Sequence, residues 1–276
     1  MRDVCGVELR MGGVSAILER AGKLAQPDAE SIKEQVTGSA IIRSDETSAR
    51  VNGRNSWQWV YASTAGIYHT IVPSRSAQVT QEVMGGRTAE VWVSDCLAAQ
   101  LKAPAKEFQL CLAHQLRDLE RILENSPRHH WARRMQNFFR EAIQLLHKFD
   151  CAEPEITLDA FIRNVTRLEE QLDQLLGTRV KRPDAKRLQK RFRKHRNKLL
   201  TFLHHPGVPP TNNDSERALR PSVIHRKVTN GFRSEWGAQA YAALQTVTAT
   251  ARHKGEHLFE SLVKLMGTPV LHFLDA

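Results

Sequence analysis

No apolar stretch of this chain reaches the roughly 18 to 20 residues that a membrane span requires. The first residues, Met1 to Cys5, lead into no apolar segment with a cleavage signal, so neither a membrane nor secretion is expected. Cysteine is scarce, and Cys5, Cys96, Cys111 and Cys151 stand far apart with no C-x-x-C pair. That usage fits reduced thiols in a cytosolic protein rather than a disulfide framework. Cys111-x-x-His114 has the spacing of half a zinc site, but no second half accompanies it. The adjacent pairs His129-His130 and His204-His205 point to different faces of a helix and are poor chelates. No G-x-x-x-x-G-K-[ST] phosphate loop surrounds Gly85-Gly86, which reads as a helix stop. Internal repeats and low-complexity segments are also missing. What remains is a chain of 276 residues, 41% apolar, long enough for a sizeable core.

Charge is present and concentrated. Forty Lys and Arg against thirty Asp and Glu give a net charge of +10. Between Arg179 and Lys198 eleven basic residues face one acid, Asp184, so this window alone carries as much net positive charge as the whole chain. Such focusing is the footprint of a polyanion binder and points to nucleic acid.

The organisation changes along the chain. Residues 1–37 read as helical, with an interruption at Pro27 and a second helix over 28–36. Residues 38–125 read as the first part of a sheet-containing core. Ser39 to Asp45 is a strand, Gly53-Arg54-Asn55 a turn, Ser56 to Ala62 an aromatic-rich second strand and Gly66 to Val72 a third, an antiparallel meander by its short links. A helix over 76–84 precedes a strand at Glu90 to Asp95, expected parallel to its predecessor. Phe108 to Leu112 is a possible fifth strand, and a helix follows over 114–123. Residues 126–206 read as a helical, basic insertion. Two apolar stripes there start at Trp131 and Leu158, and a basic helix runs from Pro183 to Leu203. Residues 207–276 supply the C-terminal helices. Trp57 and Trp59 share a strand face and are expected in the core.

This element order is the ribonuclease-H-like plan, an α/β fold with a mixed sheet: three antiparallel strands, then parallel ones. In that plan the first and fourth strands pair centrally. Asp45 and Asp95 each close a short apolar run at those places, and Glu216 on a late helix can join them. Three carboxylates beside a basic surface suit Mg²⁺ or Mn²⁺. Two such ions about 3.5 to 4 Å apart can drive phosphoryl transfer. Each acid also has a structural reading. Asp45 can be a strand-end turn residue, with Glu46 as the alternative ligand. Asp95 can cap Cys96 to Leu101, and Glu216 stands at capping-box distance from Asn213.

Four stretches resemble the insertion sequence 66 family of bacterial transposases, of the DDE class. They are Ser44-Asp45-Glu46-Thr47-Ser48-Ala49-Arg50-Val51, Glu90-Val91-Trp92-Val93-Ser94-Asp95, Cys111-Leu112-Ala113-His114-Gln115-Leu116-Arg117-Asp118-Leu119 and, the longest, Pro209 through Pro221. The last continues through Lys227, Gly231-Phe232-Arg233-Ser234 and Gly237. The resemblance implies that Asp45, Asp95 and Glu216 are the catalytic triad holding two Mg²⁺ or Mn²⁺ ions. It implies that His114 lies near the site as an accessory residue, and that the helices between Asp95 and Glu216 are an insertion into the core. The expected DNA-binding set is Arg187, Lys190, Arg191, Arg193 and Lys194 in the basic helix, with Arg217, Arg220, Arg226, Lys227 and Arg233 in the last block. Implied partners are transposon-end and target DNA, a second copy in the active complex, and accessory proteins of the same element. Family members usually carry an N-terminal coiled coil, a helix-turn-helix and a cysteine-rich module, which this chain does not include. The alternative expectation is therefore a truncated, inactive remnant that binds DNA or pairs with an intact transposase. The family pattern also has a polar or glycine-containing turn after the second aspartate, where this chain has Cys96-Leu97-Ala98-Ala99.

Overall fold

The computed structural model describes residues 10–151 and 157–267. Five strands are present: β1 (Ile41–Val51), β2 (Arg54–Ala62), β3 (Ile67–Val72), β4 (Ala89–Ser94) and β5 (Ala105–Leu110). The described residues also form nine α-helices. These are α1 (Met11–Thr37), α2 (Ala77–Met84), α3 (Leu112–Asn125), α4 (His130–Asp150), α5 (Leu158–Gly177), α6 (Pro183–Lys194), α7 (Asn213–Thr229), α8 (Glu235–His253) and α9 (Leu258–Leu265). The protein is α/β, with one mixed sheet in the order β3-β2-β1-β4-β5. Its contacts divide it into two compact units. One holds the chain up to Ala89, Ala98–Pro104 and everything from Asp214; the other holds Glu90–Leu97 and Ala105–Asn213.

In the first unit β1, β2 and β3 form the expected antiparallel meander. Val51 pairs with Arg54, so the hairpin loop is Asn52-Gly53, one residue earlier than the sequence suggested. Both residues have positive φ, 50° and 74°, as a two-residue primed turn matching the strand twist requires. Asp45 lies opposite Val60, and Val60 opposite His69. Side chains alternate, so Arg43, Asp45, Thr47, Gln58, Val60, Ile67 and His69 share one face. Leu219 of α7 and Ala249 of α8 pack there against Val60, Ala62 and Ile67. The other face carries Ser44, Glu46, Trp57, Trp59 and Tyr61. Trp59 is fully buried, whereas Trp57 is half-buried with the Arg75 guanidinium 4.3 Å from its ring centre.

The outer edge of β3 is closed by α8. Thr246 and Thr250, one helical turn apart, accept from the backbone N–H groups of His69 and Ile67 at 2.9 and 3.0 Å. Edge N–H groups that would otherwise invite another strand are thereby satisfied. Helix α1 runs through Pro27 without the expected break. Proline costs about 3 kcal/mol inside a helix, and tertiary packing offsets this: Ala25 and Ala29 are buried against Ala243 and Val247 of α8. Gly22 makes the crossing possible, since a Cβ there would lie 2.3 Å from the Ala240 Cβ.

In the second unit the apolar stripes of α4, α5 and α6 meet. Phe139 lies 5.5 Å edge-on from Phe192 and Trp131 lies 6.3 Å from it, while the Trp131 indole donates to the Leu175 carbonyl at 3.0 Å. The basic helix ends at Lys194, not at Leu203, and gives way to short 3₁₀ turns at Arg196–Lys198 and Thr201–Leu203. These turns are claimed by β5. Gln109 accepts from Phe202 N–H at 2.9 Å and donates to the Leu199 carbonyl at 3.3 Å, and Thr201 donates to the Phe108 carbonyl at 2.7 Å.

Candidate functional site

Asp45 sits in the middle of β1, not at its end, because the strand continues to Val51. It is half-buried, and its Oδ1 accepts from Glu46 N–H at 2.9 Å. Two residues before it on the same face, Arg43 pairs with Asp214 in the first turn of α7. Two residues after it, Thr47 accepts from Arg226 near the other end of α7 at 3.2 Å, and Ser48 accepts from the same guanidinium. Helix α7 therefore runs along β1 over the position of Asp45. Glu216 lies one turn before Leu219, whose side chain packs on Val60, the residue opposite Asp45. The helix begins at Asn213, so Glu216 falls one position past the capping-box place.

Glu46, the alternative ligand, points to the opposite face and is committed there. Its side chain is 2% exposed. One oxygen accepts from Arg75 Nε and Nη2 at 3.0 and 2.7 Å, and the other accepts from the Gln100 amide. The Gln100 oxygen in turn accepts from the buried Ser44 hydroxyl. This network holds the 98–104 segment on the sheet. Nothing in the sequence signals Gln100, which is fifty-four residues from its partner.

Asp95 follows β4 in the second unit. Its Oδ1 accepts from Leu97 N–H at 2.7 Å, a local turn in which the side chain takes over a backbone role. No regular α-helix follows; the segment continues to a 3₁₀ turn at Gln100–Lys102. Cys96 is half-buried beside it, and that desolvation raises its thiol pKa. His114 is half-buried in the first turn of α3.

The basic residues separate into two groups. Arg187, Lys190 and Lys194 of α6 are exposed, as are Arg217, Arg220, Lys227 and Arg233. Arg191, Arg193 and Arg226 spend donors inside the protein. Arg191 bonds Gln115 at 2.8 Å and also Asp118, Arg193 bonds the Leu176 carbonyl, and Arg226 bonds Thr47 and Ser48. Outside this set, Arg196 is tied to Asp173 at 2.8 Å and to Glu169. Part of the positive window is thus internal bracing of α5, α6 and α3.

The Gly231-Phe232 motif is explained by close approach. Phe232 bridges the end of β1, donating N–H to the Arg50 carbonyl at 2.8 Å and accepting from Asn52 N–H at 3.0 Å. Gly231 has φ +121°, and a Cβ there would lie 2.5 Å from the Arg50 carbonyl oxygen. Phe232, His225 and Tyr241 stack at 4.7 to 5.2 Å and join α7 to α8, and Ser234 caps α8 through Gly237 N–H at 3.2 Å.

An α/β chain with a half-buried strand aspartate beneath a helix that carries a glutamate, and a concentrated basic surface, has the features of a protein that works on nucleic acid. The chain belongs to the IS66 family of transposases: the family model described as "Transposase IS66 family" matches residues 1–240. No curated protein matches it. Its function is accordingly that of a transposase, which makes DNA its partner. Among the described residues no helix is long and apolar enough to cross a membrane.

Proposed function

We propose that this chain is the catalytic region of a DDE transposase on a ribonuclease-H-like sheet. It cuts DNA at the transposon ends and joins the freed 3′ ends to target DNA. The observation that carries this reading is the course of α7 along β1, which sets Glu216 on the layer covering Asp45. Asp95 is the third carboxylate by the family pattern. The donors fit the implied ions, since Asp45, Asp95 and Glu216 offer only hard carboxylate oxygens, the kind that hold Mg²⁺ or Mn²⁺. Glu46 is withheld from that set by Arg75 and Gln100. When bound, two such ions supply polarisation of the scissile phosphate and a more acidic nucleophile.

The chain's own residues do the rest. In the first reaction water attacks the phosphorus at the transposon end, and the bond from phosphorus to the transposon 3′ oxygen breaks, leaving a 3′-hydroxyl. In the second that hydroxyl attacks a target phosphodiester and displaces the target's own 3′ oxygen. Both are in-line displacements in which the protein positions rather than bonds covalently. Exposed Arg187, Lys190 and Lys194 contact phosphates and give affinity without sequence choice. Paired ends call for a second copy in the working complex.

The test is cleavage of a duplex bearing the element's end sequence. Asp45→Asn and Glu216→Gln abolish Mg²⁺-dependent cutting while DNA binding persists, and a folded Glu46→Gln still cuts. Normal cutting by Asp45→Asn would refute the assignment. Wild-type chain that binds DNA yet cuts with neither Mg²⁺ nor Mn²⁺ would instead identify an inactive remnant.

A further inference from the structure

The first unit contains a cleft of about 340 Å³ between α7 and α8. Its floor is Ile67 with two small residues, Ala218 and Ala249, where larger side chains would have filled the groove between the helices. Its rim carries Arg217 from α7, and Gln245, Arg252 and His253 from α8. Along α8 the lining residues fall at 245, 249, 252 and 253, one helical face. Arg217 and Arg252 are exposed, and none of these rim side chains engages an acid among the described residues. Asp214, the acid on the lining, is already paired with Arg43, whose side chain is 11% exposed. The cleft is therefore positive, with an amide donor beside two guanidinium groups. Arg252 and His253 also lie in the last turn of α8 and offset its carbonyl end, which would otherwise repel an anion.

We propose that this cleft is a phosphate-binding site that seats the DNA backbone, with Arg217 and Arg252 as paired anchors and Gln245 and His253 as flanking donors. Guanidinium groups suit phosphodiester oxygens through paired N–H donors. The proposal rests on the transposase reading for the identity of its ligand. It adds Arg252, His253 and Gln245, which lie far in sequence from the basic window of α6. It also gives Arg217 a defined place. One turn before it on α7 lies Asp214, which ties the helix to β1 beside Asp45, so a strand held in the cleft passes close to the candidate acids of this unit.

The experiment measures binding of a 30-base-pair duplex by fluorescence anisotropy between about 50 and 200 mM salt. The proteins are wild type, Arg217→Gln, Arg252→Gln, the double variant and Arg20→Gln, an exposed control on α1. Each phosphate contact contributes about 0.9 to the slope of log affinity against log salt. The double variant is expected to lose about 1.8 from that slope, each single about half of it, and the control none. Melting temperatures of the variants match wild type, because both side chains are exposed. Slopes equal to wild type in the double variant would overturn the proposal. Inorganic phosphate, at matched ionic strength, should displace DNA more readily from wild type than from the double variant; equal displacement from both would also overturn it. Asp45→Asn runs alongside to keep the two readings apart. A wild-type slope in the double variant with cutting lost in Asp45→Asn rejects the cleft alone. A reduced slope with cutting retained in Asp45→Asn rejects the triad alone.

Discussion

His69 gives the sharpest physical test of the fold. It lies on β3 with 1% exposure, and its Nδ1 is 3.2 Å from the Gln58 amide nitrogen, which donates to it. Burial alone lowers its pKa from 6.5 to about 3. Between those values the unfolded chain binds a proton that the folded chain refuses, so stability is full above about pH 6.5 and falls as pH drops toward 3. Going from pH 7 to pH 5, linkage gives a loss of about 2 kcal/mol from this residue, and about 3 kcal/mol by pH 4. His69→Gln removes the titration while keeping a polar side chain beside Gln58. Urea unfolding followed by circular dichroism at pH 7, 5 and 4 reads the effect. Other titrating groups are common to both proteins and cancel in the difference. The wild type should lose about 2 kcal/mol more than His69→Gln between pH 7 and 5. Equal losses would mean that the imidazole is solvated or paired in the folded state, and the account of this face of the sheet would be wrong.

Two further outcomes follow from close contacts. Gly231→Ala forces a side chain into a left-handed backbone and against the Arg50 carbonyl; it should cost more than about 1 kcal/mol, read as a lower urea midpoint. A wild-type midpoint would show that the 231–232 bridge to β1 is not formed. Glu46→Ala strips Arg75 and Gln100 of their acceptor and should cost about 1 to 3 kcal/mol, whereas Asp45→Asn should leave the midpoint nearly unchanged; the reverse order would exchange the roles of these neighbours.

Much of both units was readable because the signals are local. Alternating aromatics marked β2, Gly85 in a left-handed conformation ended α2 as its position suggested, and the stripes from Trp131 and Leu158 became α4 and α5. Readings failed where a distant partner intervened. Pro27 is carried by packing against α8, and the basic helix stops at Lys194 because Gln109 and Phe108 of β5 bind the next turns. The hairpin turn sits one residue earlier than Gly53-Arg54-Asn55 because Asn52, a non-glycine, shares the positive φ with Gly53. For the candidate site, Asp45 and Glu46 look equivalent as neighbouring acids. Strand alternation sends them to opposite faces, and only the fold shows that Arg75 and Gln100 wait on one of them.

Periodicity, charge and the long motif from Pro209 onward were enough to set the α/β class, the helical stretch and the transposase family, because each is written in contiguous residues. Tertiary structure alone decided which arginines brace helices and which face solvent, why Gly231 must be glycine, and how α8 closes the β3 edge. Those outcomes depend on which donors and acceptors meet across gaps of up to 183 residues, and hydrogen-bond satisfaction at such separations leaves no pattern in a local window.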